Sequence, residues 1–142
     1  MRNRENILIS LENRHAENIF SGQKQVELRR RRMRIAPGTI AWVYVKLPVG
    51  SLVGRVTIGA VHTSAPSTLW RRFGSLSGLT RKEFLEYFYG VTDGFVFVLE
   101  NAQRLRRSLS LNRLRELEDG FSPPQFFLRL RSQHPFLGAL TG

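Results

Sequence analysis

Three chemically active side chains, those of Lys24, Glu27 and Arg29, occur within six residues of one another. Gly22 precedes them and lets the backbone change direction, so we expect the ammonium of Lys24 to turn into a cleft. Glu27 and Arg29 share the outer face of a predicted strand. A carboxylate accepts hydrogen bonds from the amino group of a nucleobase, and a guanidinium binds phosphate through two parallel bonds. The spacing therefore predicts an anion or base site; the alternative is a structural ion pair in which Glu27 neutralises Lys24 or Arg29.

A run of arginines follows this segment directly. Arg30, Arg31, Arg32 and Arg34 join Arg29 to place five guanidinium groups in six residues. Such a run is often a solvated loop, but like charges repel one another and a phosphate backbone relieves that repulsion. We therefore predict that nucleic acid binds here. A second cluster, at residues 104, 106 and 107, follows a predicted strand and is expected to extend the basic surface.

Other kinds of catalytic site find little support in the sequence. His15, His62 and His134 lie far apart with no spacing to a second metal ligand, so each is expected to be a core or surface residue. The chain has no cysteine, which excludes disulfides, thiolate zinc sites and cysteine nucleophiles. No glycine-rich phosphate loop, HExxH motif or nucleophile elbow occurs. We predict no bound metal or cofactor, except a divalent metal if the protein is a nuclease.

Aromatic side chains near the predicted cleft are candidates for stacking on bases, as single-strand binding requires. The candidates are Trp42, Tyr44 and Trp70. Each occupies an apolar stretch, so packing in the core is the expected role.

Strands and helices alternate irregularly along the chain. Apolar runs and alternating patterns predict strands at residues 7–11, 25–31, 39–47, 51–63 and 94–99. Helical spacing predicts helices at residues 13–22, 66–74, 80–90 and 110–117. Asn13 is the predicted N-cap of the first helix, Thr80 and Glu83 form a capping box, and Gly54 and Gly59 indicate a bend. This order favours an α+β fold on a small, strongly curved sheet, in a single domain spanning the whole chain.

The composition is that of a strongly cationic protein. The formal net charge is +11, and only three of the 22 lysines and arginines are lysine. No stretch approaches the roughly 20 apolar residues that cross a bilayer, and the N-terminus does not resemble a signal peptide. We therefore expect a soluble, cytoplasmic protein with no membrane partner. Nucleic acid is the expected partner, unless codon bias toward arginine accounts for the charge.

Residues 22–29 resemble the GxKxxExR signature of the ASCH domain. The match covers all four fixed positions, Gly22, Lys24, Glu27 and Arg29. The resemblance extends over residues 7–130 and includes the Pro-Gly turn before an apolar strand and the Pro-Pro-Gln segment near the end. ASCH domains belong to the PUA-like superfamily, so the resemblance implies a small mixed β-barrel with flanking α-helices.

The resemblance also implies binding of RNA, a nucleotide or a modified nucleoside, with single-stranded RNA as the first expectation. The signature would lie in a basic cleft. The nucleic-acid-binding residues would be Lys24, Glu27, Arg29, Arg30, Arg31, Arg32 and Arg34.

A hydrolase is the first alternative, because some bacterial ASCH proteins cleave single-stranded RNA and others deacetylate N4-acetylcytidine. The resemblance implies Lys24 as a catalytic residue, and we add Glu27 as the second candidate catalytic residue on the chemistry of its carboxylate. The chain departs from the amidohydrolase pattern, which has a threonine in place of Glu27 and a glutamate in the region of residues 74–78, where this chain has no acid. In a ribonuclease, Lys24 would be the general base, Glu27 a proton relay or metal ligand, and Arg29 the phosphate-stabilising group.

A DNA-binding transcriptional regulator is the second alternative.

Overall fold

Six strands and five α-helices make up the computed structural model, which describes residues 4–141. The strands are β1 (Asn6–Leu11), β2 (Val26–Arg29), β3 (Ile40–Val45), β4 (Ser51–Ser64), β5 (Gly94–Ser110) and β6 (Phe127–Leu130). The helices are α1 (Asn13–Ser21), α2 (Pro66–Phe73), α3 (Arg81–Tyr87), α4 (Leu111–Leu117) and α5 (Pro135–Thr141). A short 3₁₀ helix, Gly74–Leu76, follows α2. No helix in this part of the chain is long and apolar enough to cross a membrane.

The six strands form one mixed sheet in the order β2-β5-β4-β3-β1-β6. Strands β1 and β3 are parallel, and all other neighbours are antiparallel. The long strands β4 and β5 shift register at three points, and such bulges bend a sheet. Gly54 lies at one of these points, where a Cβ atom would come within 2.3 Å of the ring of Phe20. The sheet curls into a half-barrel with flanking helices, which confirms the predicted α+β fold.

Alternate residues of the strands supply hydrophobic clusters on the two surfaces of the sheet. One cluster joins β1, β3 and β4 to α1, through Val43 and Ile19 among others. A second joins the opposite surface to α4 and α5, through Trp42 and Leu114. A third packs α2 and α3 against β2 and β5. The helices that flank β2 are therefore fixed to the sheet by buried apolar side chains.

The structure differs from the sequence predictions in β5 and α3. Strand β5 does not end at Leu99 but continues to Ser110, because its polar second half pairs with β4. Because this half of β5 is exposed and polar, its sequence does not show the apolar alternation that indicates a strand. Its hydrogen-bonded pairing with β4 makes it extended. The arginines at 104, 106 and 107 consequently lie within this strand rather than after it. Helix α3 ends at Tyr87, and Gly90 turns the chain three residues later.

The boundaries around α1 and β2 are predicted in part. Gly22 ends α1 in the left-handed conformation, with φ of 88°, as expected. The prediction of Asn13 as the N-cap is wrong, because Glu12 occupies that position and Asn13 is the first helical residue. Strand β2 is shorter than the predicted 25–31, because the chain leaves the sheet after Arg29. The capping box predicted at residues 80–83 is confirmed.

Candidate functional site

A cavity of about 160 Å³ opens beside β2, at the carboxyl ends of β1 and β3. The three residues singled out by their spacing, Lys24, Glu27 and Arg29, all line it. Ser10 of β1 and His15 of α1 also line it, and further side chains complete the lining: Leu11, Glu12, Leu28, Lys46, Leu79 and Tyr87.

The backbone around Lys24 turns sharply and is fixed on both sides. Gly22 ends α1, after which the N–H of Lys24 donates to the carbonyl of Asn18 at 2.8 Å. The N–H of Gln25 then donates to the carbonyl of Leu76 at 2.7 Å. These bonds hold the segment between α1 and the 3₁₀ helix, so that the side chain of Lys24 points inward.

The side chain of Lys24 is only 2% exposed. Its Nζ donates to the carbonyl of Ser77 at 2.9 Å and lies 3.5 Å from Oε1 of Glu27. Gly78 follows Ser77 in the left-handed conformation, with φ of 71°, which favours glycine at this position. The ammonium is therefore held between one carbonyl and one carboxylate.

Glu27 and Arg29 occupy one face of β2, opposite the buried Val26 and Leu28, as the alternation predicted. Their side chains are 13% and 16% exposed, so this face lines a cavity rather than open solvent. Nη1 of Arg29 lies 3.5 Å from Oε2 of Glu27, whereas Oε1 accepts from the N–H of Leu28 and faces Lys24. The ion pair that the sequence allowed is present, and Glu27 forms it with both Lys24 and Arg29. Because one carboxylate faces two cations, one positive charge is in excess.

Four buried polar atoms of residues that line the cavity have no hydrogen-bond partner. They are Oγ of Ser10, Nδ1 of His15, and Nε and Nη2 of Arg29. A buried polar group without a partner costs about 1–3 kcal/mol. Within residues 4–141 no other buried side-chain nitrogen or oxygen lacks a partner, so the deficit is confined to this cavity.

The two titratable groups Glu27 and His15 are held in different charge states near neutral pH. Burial favours the neutral form of Glu27, but the cations of Lys24 and Arg29 and the N–H of Leu28 outweigh it and lower the pKa of Glu27. Burial, assisted by the ammonium of Lys24, also lowers the pKa of His15 from its ordinary value of 6.5. The cavity therefore contains an ionised carboxylate and a neutral imidazole.

The four arginines that follow Arg29 lie outside the cavity and are exposed. Nη1 of Arg30 donates to the carbonyls of Tyr87 and Tyr89, at 2.7 and 2.8 Å, which fixes the start of the run against the turn after α3. The carbonyl of Arg34 accepts from the guanidinium of Arg129. Among the described residues, none of these four side chains forms an ion pair.

The second arginine cluster has a different setting. Nη2 of Arg104 lies 2.7 Å from Oε2 of Glu17 on α1, and its guanidinium covers the ring of Phe20 at 4.9 Å. The arginines at 106 and 107 are exposed on β5. None of the three lines the cavity.

The aromatic residues proposed for stacking are mostly in the core. Trp42 and Tyr44 are 3% and 1% exposed, as the packing interpretation predicted. Trp70 is half-buried and packs edge-on against Phe84. The most exposed aromatic side chain in residues 4–141 is instead that of Tyr89, at 83%.

Sequence reasoning did not select Ser10, His15 or Tyr87, although all three line the cavity. No spacing signals them, because they lie on separate elements that meet only when α1 and α3 pack beside β2. The expectation of an ordinary core or surface histidine does not describe His15, whose Nδ1 is buried without a partner. His134 does fit that expectation, since it is buried and paired with a glutamate.

Metal-binding geometry is not found at this site. Over residues 4–141, no three histidine, aspartate or glutamate side chains converge as a metal site requires. The carboxylate of Glu27, the predicted metal ligand, instead lies near Lys24 and Arg29. A requirement for a divalent metal stays a prediction.

The chain was compared with known proteins and structures. No family model matches it. A protein of Zymomonas mobilis subsp. mobilis, the ASCH domain-containing ribonuclease, is 34% identical over 130 residues, which are 92% of this chain and 87% of the relative. The crystal structure of ASCH from Zymomonas mobilis superposes with a TM-score of 0.89 at 32% identity, over 96% of both chains.

A more distant structure shares the fold alone. Human THYN1 protein in complex with 5-methylcytosine containing DNA superposes with a TM-score of 0.59 at 13% identity, over 96% of both chains. The curled sheet, the flanking helices and the four signature residues thus occur together in a chain that matches an ASCH protein over nearly its full length. The chain belongs to the ASCH domain family.

Proposed function

We propose that the chain binds single-stranded RNA and cleaves it, with one phosphate group of the strand in the cavity beside β2. The observation that carries this proposal is the set of unpaired polar atoms. Two nitrogens of Arg29 and the hydroxyl of Ser10 are donors without acceptors, and a phosphate group offers several acceptor oxygens. The relative that aligns with 92% of the chain is itself named a ribonuclease, which supports the same activity here.

The size and charge of the cavity suit a phosphate rather than a larger ligand. Its volume of about 160 Å³ is below the 300–1,000 Å³ typical of sites that enclose a drug-sized ligand. Three cations and two carboxylates line it: Lys24, Arg29 and Lys46 against Glu12 and Glu27. The excess positive charge favours an anion, and the bases of the strand must lie outside.

In the proposed reaction, the neutral imidazole of His15 takes the proton of a ribose 2′-hydroxyl. The 2′ oxygen then bonds to phosphorus as the bond from phosphorus to the 5′ oxygen breaks. The products are a 2′,3′-cyclic phosphate and a 5′-hydroxyl, whose oxygen takes its proton from water. The imidazolium finally returns its proton to solvent. Burial and Lys24 lower the pKa of His15, so its imidazole is neutral near neutral pH and free to accept the proton.

The other residues bind the phosphate and stabilise its charge. The unpaired nitrogens of Arg29 bind two phosphate oxygens and oppose the negative charge that increases as the 2′ oxygen attacks. The ammonium of Lys24 adds a fixed positive charge on the same side. Glu27 is ionised and contacts both cations, so its part is to position them.

Cleavage assays on matched substrates test the proposal. A labelled single-stranded RNA is incubated with the protein in parallel with its duplex, with the same RNA carrying one 2′-deoxynucleotide, and with N4-acetylcytidine. Each reaction is run with a divalent metal and with a chelator. We expect cleavage of the single strand, cyclic phosphate ends, and no cleavage at the 2′-deoxy position.

Other outcomes would replace the proposal. Retention of RNA without cleavage would favour a binding module, and release of acetate would favour the amidohydrolase. Cleavage at the 2′-deoxy position would exclude attack by the 2′ oxygen. Arg104→Ala is the matched control, because this arginine lies outside the cavity, and it is expected to cleave at the wild-type rate.

A further inference from the structure

The turn after α3 presents an aromatic ring beside the arginine run. Tyr89 is 83% exposed, so its ring takes almost no part in the core. A single exposed aromatic residue is common and needs no explanation by itself. The position of Tyr89 does call for an explanation. Arg30 donates to the carbonyls of both Tyr87 and Tyr89 and thereby joins this turn to the start of the arginine run.

The same turn is connected to the cavity. Tyr87 lines the cavity, and its hydroxyl donates to the carbonyl of Leu28 on β2 at 3.0 Å. Its ring packs edge-on against Phe88, which is buried. Tyr89 follows two residues later, a separation that spans at most about 7 Å of backbone. The turn that carries the exposed ring is therefore continuous in the chain with a residue that lines the cavity.

The segment that Arg30 joins to this turn is basic. Arg31 and Arg32 follow Arg30, are exposed, and form no ion pair with any described residue. Surfaces that bind single-stranded nucleic acid combine such unpaired cations for the phosphates with exposed aromatic rings for the bases. A cavity that holds only a phosphate leaves the neighbouring bases outside, where they need a surface of this kind.

We propose that Tyr89 is a stacking platform for a base of the RNA strand immediately outside the cavity, with Arg31 and Arg32 contacting the adjoining phosphates. This inference rests on the proposed function and adds the element that selects the substrate. Bases in a duplex are already stacked on their neighbours, so only a single strand offers a free base face to Tyr89. The platform would therefore favour single-stranded over duplex RNA.

The test measures affinity for a single-stranded oligonucleotide of about ten residues, with 2′-O-methyl groups that prevent attack by the 2′ oxygen. Tyr89→Ala and Tyr89→Leu are each expected to raise the Kd at least about fivefold, because base stacking is lost. Tyr89→Trp is expected to bind as tightly as the wild type. Phe126→Ala, at another exposed aromatic position, is the matched control and is expected to leave the Kd unchanged.

Two further measurements separate stacking from charge. Oligonucleotides with one abasic site, moved along the strand, should bind the wild type weakly at one position, and that weakness should disappear in Tyr89→Ala. The slope of log Kd against log salt should be unchanged in Tyr89→Ala and reduced by about one in Arg31→Ala.

The possible failures are distinguishable. If the wild type does not bind single-stranded RNA, the proposed function fails. If the wild type binds but Tyr89→Ala binds equally well, or Tyr89→Leu binds as well as Tyr89→Trp, only the stacking platform is excluded. An equal loss in Phe126→Ala would also exclude it, because the effect would then be a general one of exposed aromatic residues.

Discussion

Two regions of the chain are rich in arginine and differ in what their guanidinium groups contact. Around the cavity, Arg29 is mostly buried and two of its nitrogens have no partner. On β5, Arg104 is half exposed, paired with Glu17 and stacked over Phe20. The first guanidinium has unused hydrogen-bonding capacity in a low-dielectric setting, whereas the second is satisfied by the protein and by water.

The contrast shows that the number of arginines in a segment does not locate a binding site. A charge exposed to water can contact a phosphate backbone at many points, so it favours binding of a polyanion without locating the bound group. A buried donor without an acceptor costs free energy until a ligand satisfies it. Burial and missing partners therefore separate a site from a merely basic surface, and four substitutions test this distinction.

The largest effect is expected from Lys24→Met. The change leaves the carboxylate of Glu27 with one cation and the carbonyl of Ser77 without its donor. Breaking a buried pair in this way should lower the free energy of unfolding by about 3 kcal/mol, measured by urea denaturation. RNA cleavage should be lost as well.

The double variant Lys24→Met with Glu27→Gln provides the control, since it also removes the carboxylate and leaves Arg29 without its ion pair. It should be less stable than Lys24→Met and equally inactive. A folded Lys24→Met protein that cleaves single-stranded RNA at the wild-type rate would show that this residue has no part in the reaction.

A second large effect is expected from Arg29→Lys, which keeps the charge but removes the planar fork of donors. Loss of one charge-assisted hydrogen bond of about 1.5–3 kcal/mol should weaken RNA binding roughly tenfold to a hundredfold. The matched control is Arg104→Lys, whose affinity should be unchanged. Equal losses in the two variants would mean that the cavity does not hold the phosphate.

A moderate effect of pH is expected from His15. Because its pKa is lowered in the folded protein, the unfolded chain binds the proton first as the pH falls. The stabilising contribution is thus complete above pH 6.5, its ordinary pKa, and is lost as the pH falls through the lower pKa of the folded state. The cleavage rate should fall over the same range, because the protonated imidazole cannot accept a proton.

Unfolding free energies and cleavage rates measured from about pH 7 to pH 5 provide this test. In His15→Gln, the dependence of stability on pH should be shallower, and cleavage should be slow at every pH. Parallel stability curves for the variant and the wild type, or an unchanged pH profile of cleavage, would contradict the role given to His15.

The smallest effect is expected from Arg104→Ala. Its ion pair with Glu17 is about half exposed on both sides, so the free energy of unfolding should change by less than about 1 kcal/mol. The rate of RNA cleavage should stay within about twofold of the wild type. A loss comparable to that of Arg29→Lys would remove the distinction between the two arginine-rich regions.

Local signals made much of the fold predictable from the sequence. The left-handed turn at Gly22, the capping box at Thr80 and the alternation of β2 depend on neighbouring residues, and all three are present. The second half of β5 was not predicted, because it is polar and only its pairing with β4 makes it a strand.

The residues of the candidate site likewise divide into those that the sequence predicted and those that it did not. Lys24, Glu27 and Arg29 were found because they are close together in sequence. His15 and Tyr89 were not found, because the packing of α1 and the turn after α3 decide their surroundings. The unpaired atoms of Arg29 have no counterpart in the sequence, since burial depends on the folded chain.

Two hydrogen bonds described above, from the N–H of Gln25 to Leu76 and from Nζ of Lys24 to Ser77, tie the cavity to the segment between α2 and α3. The site therefore shares the local stability of that helical pair. A local opening that detached α2 and α3 from the sheet would release Lys24 while the rest of the half-barrel stayed folded. Catalytic competence would then decline under milder conditions than global unfolding requires, and the amide of Gln25 would report that opening by hydrogen exchange.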